Sequence, residues 1–387
     1  MARMATKVLV IVPTYNEADN IDALLASIEG AIYKQTAYGF EVLIVDDKSP
    51  DGTAKHVKLL QKKFPNIHLL SGNKAGLGKA YTRGFQHALK HGDYEVFVMM
   101  DADLSHNPKD IPSLLAAIDK GYDYVIGSRY TAGGSIADGW PLKRRIISRG
   151  ANLTARKLTN ISNDVSDLTG GFKAIRVSAL RSIDLNSLRV KGYIFQVSLL
   201  HAFLSKGFRV TEVPITFSDR KYGQSKLRIQ DILEFVYRAY KLNPDAPIQK
   251  FVRFSSVGAS GAVVNLVVLT LLVKLIHIEV LAADLAAIEI SIISNFFLNH
   301  FYTFKGYGSY KVQDRKESTR LILLKLGKFN IGTLGGAAIS FLTFMLFFKA
   351  VGINYILSDV LAICIAMSWN YFISTKYVWK TIDKEVS

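Results

Sequence analysis

Apolar and polar positions alternate in blocks over the first half of the chain. Four continuous apolar runs there predict β-strands, at 7–13, 40–47, 94–101 and 123–129. The segments between them carry apolar residues at helical spacing and predict helices over 19–34, 53–64, 79–91 and 109–120. Apolar strands separated by helices are typical of a mainly parallel sheet that helices cover on both faces. We therefore predict a Rossmann-like α/β fold for residues 1–226.

The second half of the chain has long apolar stretches and few charges. Four stretches reach the roughly 20 residues that cross a bilayer as a helix, namely 253–276, 281–301, 324–348 and 354–375. We predict an all-α transmembrane domain of four helices over residues 248–387.

Residues 227–247 join the two predicted domains. Within 227–243, apolar side chains recur at helical spacing with arginine and lysine between them. This segment is either the last helix of the first domain or an amphipathic helix that lies in the membrane interface. The pattern is compatible with both.

Basic residues outnumber acidic ones, giving a formal net charge of +16. Such a charge suits nucleic acid or an anionic membrane. The chain has no zinc-ligand spacing and no aromatic-rich strand of the RNA-reading kind, so we predict binding to the lipid bilayer and phosphate substrates, and to no nucleic acid. The single cysteine, Cys364, excludes a disulfide framework.

The distribution of these charges predicts an orientation. Lysine and arginine concentrate in the link between the second and third apolar stretches and in the C-terminal tail. By the positive-inside rule, those segments and the first domain face the cytosol of a multi-pass cell-membrane protein.

Polar side chains follow the predicted strands at the edge where ligands of parallel sheets bind. In "DADLSHNP", Asp101 and Asp103 come directly after an apolar strand. Their carboxylates suit Mg²⁺ or Mn²⁺, although the same residues could form an Asx turn or cap the next helix. A buried strand that ends in two carboxylates needs a partner for their charge, which favours the metal.

Two other strand ends offer groups for a nucleoside. "DDKSPDGT" contains Asp46 and Asp47, which can bind base N–H groups or ribose hydroxyls, and "PTYNE" contains Tyr15 and Glu17. Tyr15 either stacks on a base or packs within the fold. The glycine-rich "NKAGLGKAYTRG" is neither a dinucleotide fingerprint nor a Walker A loop, which disfavours hydride transfer and phosphate-bond hydrolysis.

Basic residues gather in the later loops of the first domain. They include Arg129, Arg144, Arg220 and Lys226. Guanidinium and ammonium groups of this kind bind phosphates, and they also bind anionic lipid. Both interpretations stay open.

Seven ordered motifs between residues 7 and 230 carry a family resemblance. They are "VPTYNE", "VDDKSPDGT", "DADLSHNP", "IGSRY", "GGSIADGWP", "TGGFKAIR" and "EVPITFSDRKYGQSKL". Together they resemble the GT-A glycosyltransferases of family 2 that make dolichol-phosphate or polyprenol-phosphate mannose. Residues 248–380 resemble the GtrA-like four-helix membrane domain that is fused to some of them.

The resemblance implies transfer of mannose from GDP-mannose to dolichyl or polyprenyl phosphate, with inversion and with Mg²⁺ or Mn²⁺. It assigns the nucleotide sugar to Pro13, Tyr15, Glu17, Val45, Asp46, Asp47, Asp101, Ala102, Gln196, Arg220 and Lys226. It assigns the metal to Asp101, Asp103 and Ser105, and catalysis to Asp103, Arg129, Arg144 and Ser148, the last two at the acceptor phosphate. Many members have glutamine where this chain has Ser105, and we expect the shorter serine hydroxyl to reach the metal only through water.

Two other functions fit parts of the sequence, and a third lacks its typical motif. A transferase for another nucleotide sugar, such as UDP-glucose, would share the phosphate and metal residues. A translocator of lipid-linked sugars would use the membrane domain. A processive polysaccharide synthase would carry Gln-x-x-Arg-Trp, which this chain lacks. Of the eight histidines, His106 alone is near a predicted site, and we do not expect it to act directly.

Overall fold

The computed structural model describes residues 5–32, 37–137, 140–188, 194–218, 229–305 and 319–380. The chain divides into two units, Met1–Ala246 and Pro247–Ser387.

A seven-stranded sheet forms the centre of the first unit. Its strands in chain order are β1 (Thr6–Thr14), β2 (Tyr38–Asp46), β3 (Ile67–Ser71), β4 (Val96–Met99), β5 (Tyr124–Ser128), β7 (Lys173–Arg176) and β8 (Val210–Pro214), and the short β6 (Ser135–Ile136) and β9 (Thr216–Phe217) pair separately. The spatial order is β3-β2-β1-β4-β7-β5-β8. All neighbours run parallel except β7, which is antiparallel to β4 and β5. The prediction of a mainly parallel sheet is confirmed.

Eight helices belong to the described part of this unit. They are α1 (Ala18–Ile32), α2 (Thr53–Leu60), α3 (Leu77–His91), α4 (Ile111–Asp119), α5 (Leu142–Thr159), α6 (Val177–Leu180), α7 (Ile194–Ser205) and α8 (Ile229–Tyr240). Alternate residues of the central strands enter two separate cores. In β1, Leu9 and Ile11 join the core that contains α3 and α7, whereas Val8 and Val10 join the core that contains α1 and α4.

Three sheet strands lie outside the four that the apolar runs predicted. β3 and β8 are edge strands with partly exposed residues, so neither shows a continuous apolar run. β7 is only four residues long and has a lysine and an arginine at its ends. The strand β7 is buried because it lies between β4 and β5 in the sheet. The local sequence pattern does not show this, because it depends on contacts with distant parts of the chain.

Helix α8 packs into the first unit and keeps an apolar outer face. Phe235 and Ala239 are buried in the core that contains α3 and α7. Five large apolar side chains of the same helix are exposed: Ile229, Ile232, Leu233, Val236 and Tyr237. The helix therefore contributes to the core on one side and leaves an exposed apolar surface on the other, a pattern typical of amphipathic helices at membrane interfaces.

The second unit contains the four long apolar helices that the sequence predicts. They are α9 (Pro247–Lys274), α10 (Val280–Leu298), α11 (Thr319–Met345) and α12 (Tyr355–Ile373), and the last three continue into π-helical turns at Asn299–Thr303, Leu346–Ala350 and Ser374–Val378. All four are long and apolar enough to cross a membrane. Most of their large apolar side chains face outward, as expected in lipid, while an aromatic cluster that includes Phe296, Phe304 and Trp379 is buried.

Candidate functional site

The strand ends predicted to bind ligand meet along one edge of the sheet. Pro13 of β1 lies beside Val45 of β2, and β1 has β4 as its other neighbour. Asp101 follows β4 by two residues, and the antiparallel β7 places its first residue, Lys173, between Met99 and Ile126 at the same edge. Arg129 follows the next strand, β5. The fold thus aligns the predicted nucleoside, metal and phosphate residues in that order.

Strained backbone marks three of the loops at this edge. The described chain has five non-glycine residues with positive φ, and three of them are Asn16 in "PTYNE", Lys48 in "DDKSP" and Leu104 in "DADLS". Such conformations cost roughly 1–3 kcal/mol each and are found mainly where a loop has to hold functional groups in place. Their grouping here supports a binding site at this edge.

Tyr15 and Asp47 lie at the end of the edge where the nucleoside is predicted to bind. The Lys74 ammonium lies 3.5 Å from the centre of the Tyr15 ring, so one ring face already has a cation against it. Asp47 is 4% exposed and accepts a 2.6 Å hydrogen bond from Arg83 Nη2 and a 3.2 Å bond from Ala75 N–H. The segment that supplies Lys74 and Ala75 then turns through Gly76, at φ 94°, into α3.

Two of the predicted nucleoside residues are used within the fold. Asp46 is fully buried and accepts hydrogen bonds from the Thr14 hydroxyl and from the backbone N–H and hydroxyl of Ser49. Glu17 accepts a 2.7 Å hydrogen bond from Asn20 Nδ2. Asp46 therefore organises its loop, and its predicted contact with the nucleotide stays a prediction.

Asp101, the first carboxylate of "DADLS", is contacted by three other residues. The buried Tyr81 hydroxyl donates to Asp101 Oδ1 at 3.4 Å, and the Asp101 backbone N–H donates to His106 Nδ1 at 3.1 Å. Gly171 approaches so closely that an added Cβ would lie 3.0 Å from Asp101 Oδ2. Burial lowers the pKa of His106, which favours the neutral ring that its acceptor role requires. His106 therefore positions Asp101.

The second carboxylate and its neighbours form an oxygen-rich group. Asp103 is 9% exposed and its Oδ1 accepts from Ser105 N–H at 3.1 Å. The Ser105 hydroxyl is buried and has no hydrogen-bond partner among the described residues. No cluster of three His, Cys, Asp or Glu side chains suitable for a metal occurs in the described ranges. Two carboxylates and one hydroxyl nevertheless fit Mg²⁺ or Mn²⁺, because such ions commonly complete their shells with water and substrate phosphate.

A buried lysine lies in the middle of this edge. Lys173 is fully buried, and its Nζ donates to Gln196 Oε1 at 2.6 Å. Burial lowers the pKa of Lys173 to about 7, partly offset by the charges of Asp167 and Asp101. Gln196 Nε2 is buried with no hydrogen-bond partner in the part of the chain that the structure describes. The hydrogen bond from Lys173 orients the side-chain amide of Gln196, a residue predicted to bind the donor. The sequence analysis assigned no role to Lys173.

The Arg129 guanidinium is bound to Asp167 through two parallel hydrogen bonds of 2.7 Å. Burial would by itself raise the pKa of Asp167, but the Arg129 charge and hydrogen bonds lower it, so the carboxylate stays ionised. Arg129 Nη2 also donates to Thr169 Oγ1 at 3.0 Å. The sequence predicted the arginine and missed its carboxylate partner, which lies 38 residues further along the chain.

The predicted acceptor residues lie on α5, close to this network. Tyr130, adjacent to Arg129, donates from its hydroxyl to Ser148 Oγ at 2.7 Å. The Arg144 guanidinium lies 4.1 Å from the centre of the Trp140 ring. The other two predicted phosphate residues, Arg220 and Lys226, lie outside the described residues.

Comparisons with known proteins match both units. Residues 9–184 match the model of glycosyl transferase family 2, and residues 253–379 match that of the GtrA/DPMS transmembrane domain. The chain is 37% identical over 378 residues to a dolichol-phosphate mannosyltransferase of Pyrococcus furiosus, covering 97% of this chain and 100% of that protein.

Two further relatives match about three fifths of the chain. The chain is 40% identical to a polyprenol monophosphomannose synthase of Mycolicibacterium smegmatis, over 61% of this chain and 86% of that protein. It is also 40% identical to an undecaprenyl-phosphate mannosyltransferase of Micrococcus luteus, over 57% of this chain and 87% of that protein.

Proposed function

This chain belongs to the family 2 glycosyltransferases that carry a GtrA/DPMS transmembrane domain, and we propose that it transfers mannose from GDP-mannose to a dolichyl or polyprenyl phosphate with inversion at the anomeric carbon. The observation that carries the proposal is a single sheet edge. Val45, Pro13 and Lys173 lie there in strands β2, β1 and β7, and Asp101 directly follows β4, which lies between β1 and β7. A nucleotide sugar has its base, diphosphate and sugar in the same linear order.

The nucleoside binds in this proposal at the ends of β1 and β2. Pro13 and Val45 are buried and provide an apolar floor, and Tyr15 and Asp47 flank it. Asp47 is fixed by Arg83, so its oxygens hold one orientation toward base N–H or ribose hydroxyl groups. Guanine is the base that the relatives' mannosyl chemistry favours, because mannose is commonly activated as GDP-mannose.

The diphosphate binds at the end of β4. Asp101 and Asp103 are the carboxylates that would hold Mg²⁺ or Mn²⁺, and Ser105 would contribute a hydroxyl either directly or through water. The bound ion would offset negative charge on the diphosphate as it leaves. Tyr81, His106 and Gly171 keep Asp101 in place, so little reorganisation is needed during transfer.

The acceptor phosphate binds near α5 in this proposal. A phosphate monoester is already anionic near neutral pH, so it can attack the anomeric carbon without a general base. Arg144 and Ser148 would orient it, and Arg129, held by Asp167, would add positive charge between acceptor and donor. The work of the enzyme is then positioning and charge stabilisation, which agrees with the buried, neutral His106.

The chain is a multi-pass membrane protein, and we propose that the catalytic unit faces the cytosol, where nucleotide sugars are made. The basic residues that flank the predicted spans support this orientation.

The donor is tested with purified full-length protein in vesicles that contain a polyprenyl phosphate. Labelled GDP-mannose and UDP-glucose are supplied separately, and the lipid fraction and the released nucleotide are analysed by mass spectrometry. We expect polyprenyl-phosphate mannose and an equal amount of GDP from the first donor only. Lipid-linked glucose from UDP-glucose with no product from GDP-mannose would contradict the proposed donor.

A further inference from the structure

Trp140 is a buried side chain that lies next to the predicted acceptor residues of α5. It is 6% exposed and directly precedes Pro141, the N-cap residue of that helix. Its indole Nε1 is buried and has no hydrogen-bond partner among the described residues. An indole N–H can only donate a hydrogen bond, so the partner that it needs is an acceptor.

A buried donor without a partner destabilises a fold, because its lost contact with water is not replaced. Buried tryptophan side chains therefore usually direct the indole N–H at a hydrogen-bond acceptor. In the described part of the first unit, no backbone carbonyl and no side-chain oxygen has this role for Trp140. A ligand that presents an acceptor atom to the indole would remove the cost.

The Arg144 guanidinium is stacked on this indole. Its central carbon lies 4.1 Å from the centre of the Trp140 ring. A guanidinium that stacks on an aromatic face still directs its N–H groups outward in its own plane, where they can bind an anion. Hydrogen bonds of about 2.9 Å can join donors this close together to a single phosphate group.

Phe217 fixes the position of the indole. The two rings meet edge to face, and their centres are 5.6 Å apart. Phe217 belongs to β9, which pairs with β6, and the Ala137 N–H donates to the Phe217 carbonyl oxygen at 2.9 Å. The Trp140 ring and the strand that precedes it are therefore both held by the same residue.

Phe217 also connects Trp140 to the candidate transfer site. The Arg129 guanidinium lies 5.3 Å from the centre of the Phe217 ring, and the centre of the His106 ring is also 5.3 Å from it. His106 in turn accepts the backbone N–H of Asp101. A single aromatic ring thus separates Trp140 from residues that hold the predicted phosphate and metal groups.

The neighbours of the indole N–H define the class of ligand. A phosphate oxygen is an acceptor and carries negative charge, so it can bind the indole N–H and the Arg144 guanidinium together. Hydrogen bonds to a charged acceptor are roughly twice as strong as those between neutral groups. A sugar hydroxyl could accept the indole N–H, but it would gain little from the arginine charge. Ser148, the other predicted acceptor residue, lies one helical turn beyond Arg144 on α5.

We propose that the Trp140 indole N–H donates a hydrogen bond to the phosphate of the lipid acceptor, beside the Arg144 guanidinium. Trp140 is then a binding residue that helps to hold this phosphate in one orientation for attack on the donor sugar. The inference rests on the proposed transfer to a polyprenyl phosphate and adds a residue to its acceptor site.

The direct test observes the indole N–H by nuclear magnetic resonance. The chain has three tryptophans, so the full-length protein with isotope-labelled tryptophan gives three indole signals in detergent micelles. Single tryptophan-to-phenylalanine variants assign them. We expect farnesyl phosphate to move the Trp140 proton signal downfield with a saturable dependence on concentration, because the N–H binds a charged oxygen. Farnesol, which has no phosphate, should leave the signal in place.

Trp140→Phe tests the contribution of the N–H to acceptor binding. Phenylalanine keeps a ring against Arg144 and Phe217 and removes the donor. We expect KM for farnesyl phosphate to rise about tenfold or more, and KM for GDP-mannose to stay within about twofold, because only a hydrogen bond to the acceptor is lost. Benzothienylalanine at position 140, which replaces the N–H by sulfur and keeps both rings, should give the same result. Trp369→Phe, at a partly exposed tryptophan of the membrane unit, is the control and should leave both KM values unchanged.

A Trp140 signal that does not move at saturating farnesyl phosphate would overturn the inference, and so would an equal shift with farnesol or with GDP. An unchanged KM for farnesyl phosphate in both position-140 variants would also overturn it. If those variants do not fold, the titration of the unaltered protein decides the question. The titration contains no sugar donor, so a failure of mannose transfer would contradict the proposed function without affecting this result.

Discussion

Buried charges fix the candidate site at the scale of single residues. Arg129 is held by Asp167, and Gln196 is held by Lys173. Arg129 and Gln196 are predicted site residues, whereas the sequence analysis assigned no role to Asp167 or Lys173. Asp167 fixes the orientation of the Arg129 side chain, and Lys173 fixes that of the Gln196 side chain.

Asp167→Asn tests the first pair. The neutral amide removes the charge that is paired with the Arg129 guanidinium, which is only 10% exposed. We expect the free energy of unfolding of the first unit to fall by about 3–5 kcal/mol, and transfer to fall with it. Denaturant unfolding followed by circular dichroism measures this, and exposed Asp164, in the same loop, provides the control Asp164→Asn with a change within about 0.5 kcal/mol.

The stability that this pair contributes has a defined pH dependence. The pKa of Asp167 is lower in the folded protein than its ordinary value of 3.8, so the contribution is complete above that value and is lost as the pH falls through the folded pKa. The difference between the unaltered protein and Asp167→Asn should therefore be constant at neutral and mildly acidic pH. A difference that vanishes by about pH 6 would contradict an ionised Asp167.

Lys173→Met tests the second pair. Methionine fills a similar space without a buried charge, so stability should change little or rise. The Gln196 amide loses its donor, and we expect kcat to fall at least about tenfold because misplacement of a donor-site group is costly. Steady-state kinetics and thermal unfolding separate the two effects. An unchanged kcat would show that Lys173 has no positioning role.

Sequence alone predicted the site residues that follow strong strands and missed their partners. Asp101 and Asp103 stand directly after an apolar run, so local pattern located them. Asp167 lies in a loop, and Lys173 lies in a strand too short to show a pattern. Their roles depend on contacts between distant parts of the chain, which only the folded structure contains.

At the scale of elements, α8 has one face in the protein core and one face that is exposed. Phe235 and Ala239 hold it to the first unit, while Ile229, Leu233 and Val236 are exposed on its other side. The sequence left open whether this helix is a core element or an interface element. In the structure this helix has both a core contact and an exposed apolar face. The spacing of apolar residues in the sequence could not show which of them belong to which face.

We expect the outer face of α8 to bring the enzyme's active site to its lipid acceptor. Leu233→Glu/Val236→Glu should lower transfer to long-chain polyprenyl phosphate in vesicles at least about fivefold, because two charges would enter the interface. Transfer to a short-chain, water-soluble acceptor should be unaffected. Gln230→Glu, which adds a charge at an exposed polar position of the same helix, is the control. Equal losses with both acceptors would indicate a folding defect in place of an interface role.

At the scale of the whole molecule, the chain combines two units with separate cores. The sheet unit contains the candidate transfer site, and the membrane unit contains the four long apolar helices. The change in composition near residue 247 predicted this organisation, because apolar helices long enough to span a bilayer are conspicuous in sequence.

Removal of residues 248–387 tests the independence of the units. Because the sheet unit has its own cores and all described predicted site residues, we expect it to keep transfer in detergent with a short-chain acceptor and to lose stable membrane attachment. Flotation on a density gradient measures attachment. Complete inactivity of a folded truncated protein would show that the membrane helices contribute to the site.

The central claim is that Asp101 and Asp103 act through a divalent ion on the departing nucleotide. The most direct test is the initial rate of lipid-linked mannose formation by the full-length protein, measured after chelation and with increasing Mg²⁺ or Mn²⁺. We predict no transfer without a divalent ion, recovery on its return, and a rate at least about 100-fold lower at saturating ion in Asp103→Asn, with Asp110→Asn close to normal. Full-rate transfer by the chelated protein, or an Asp103→Asn variant as fast as the unaltered chain, would contradict it.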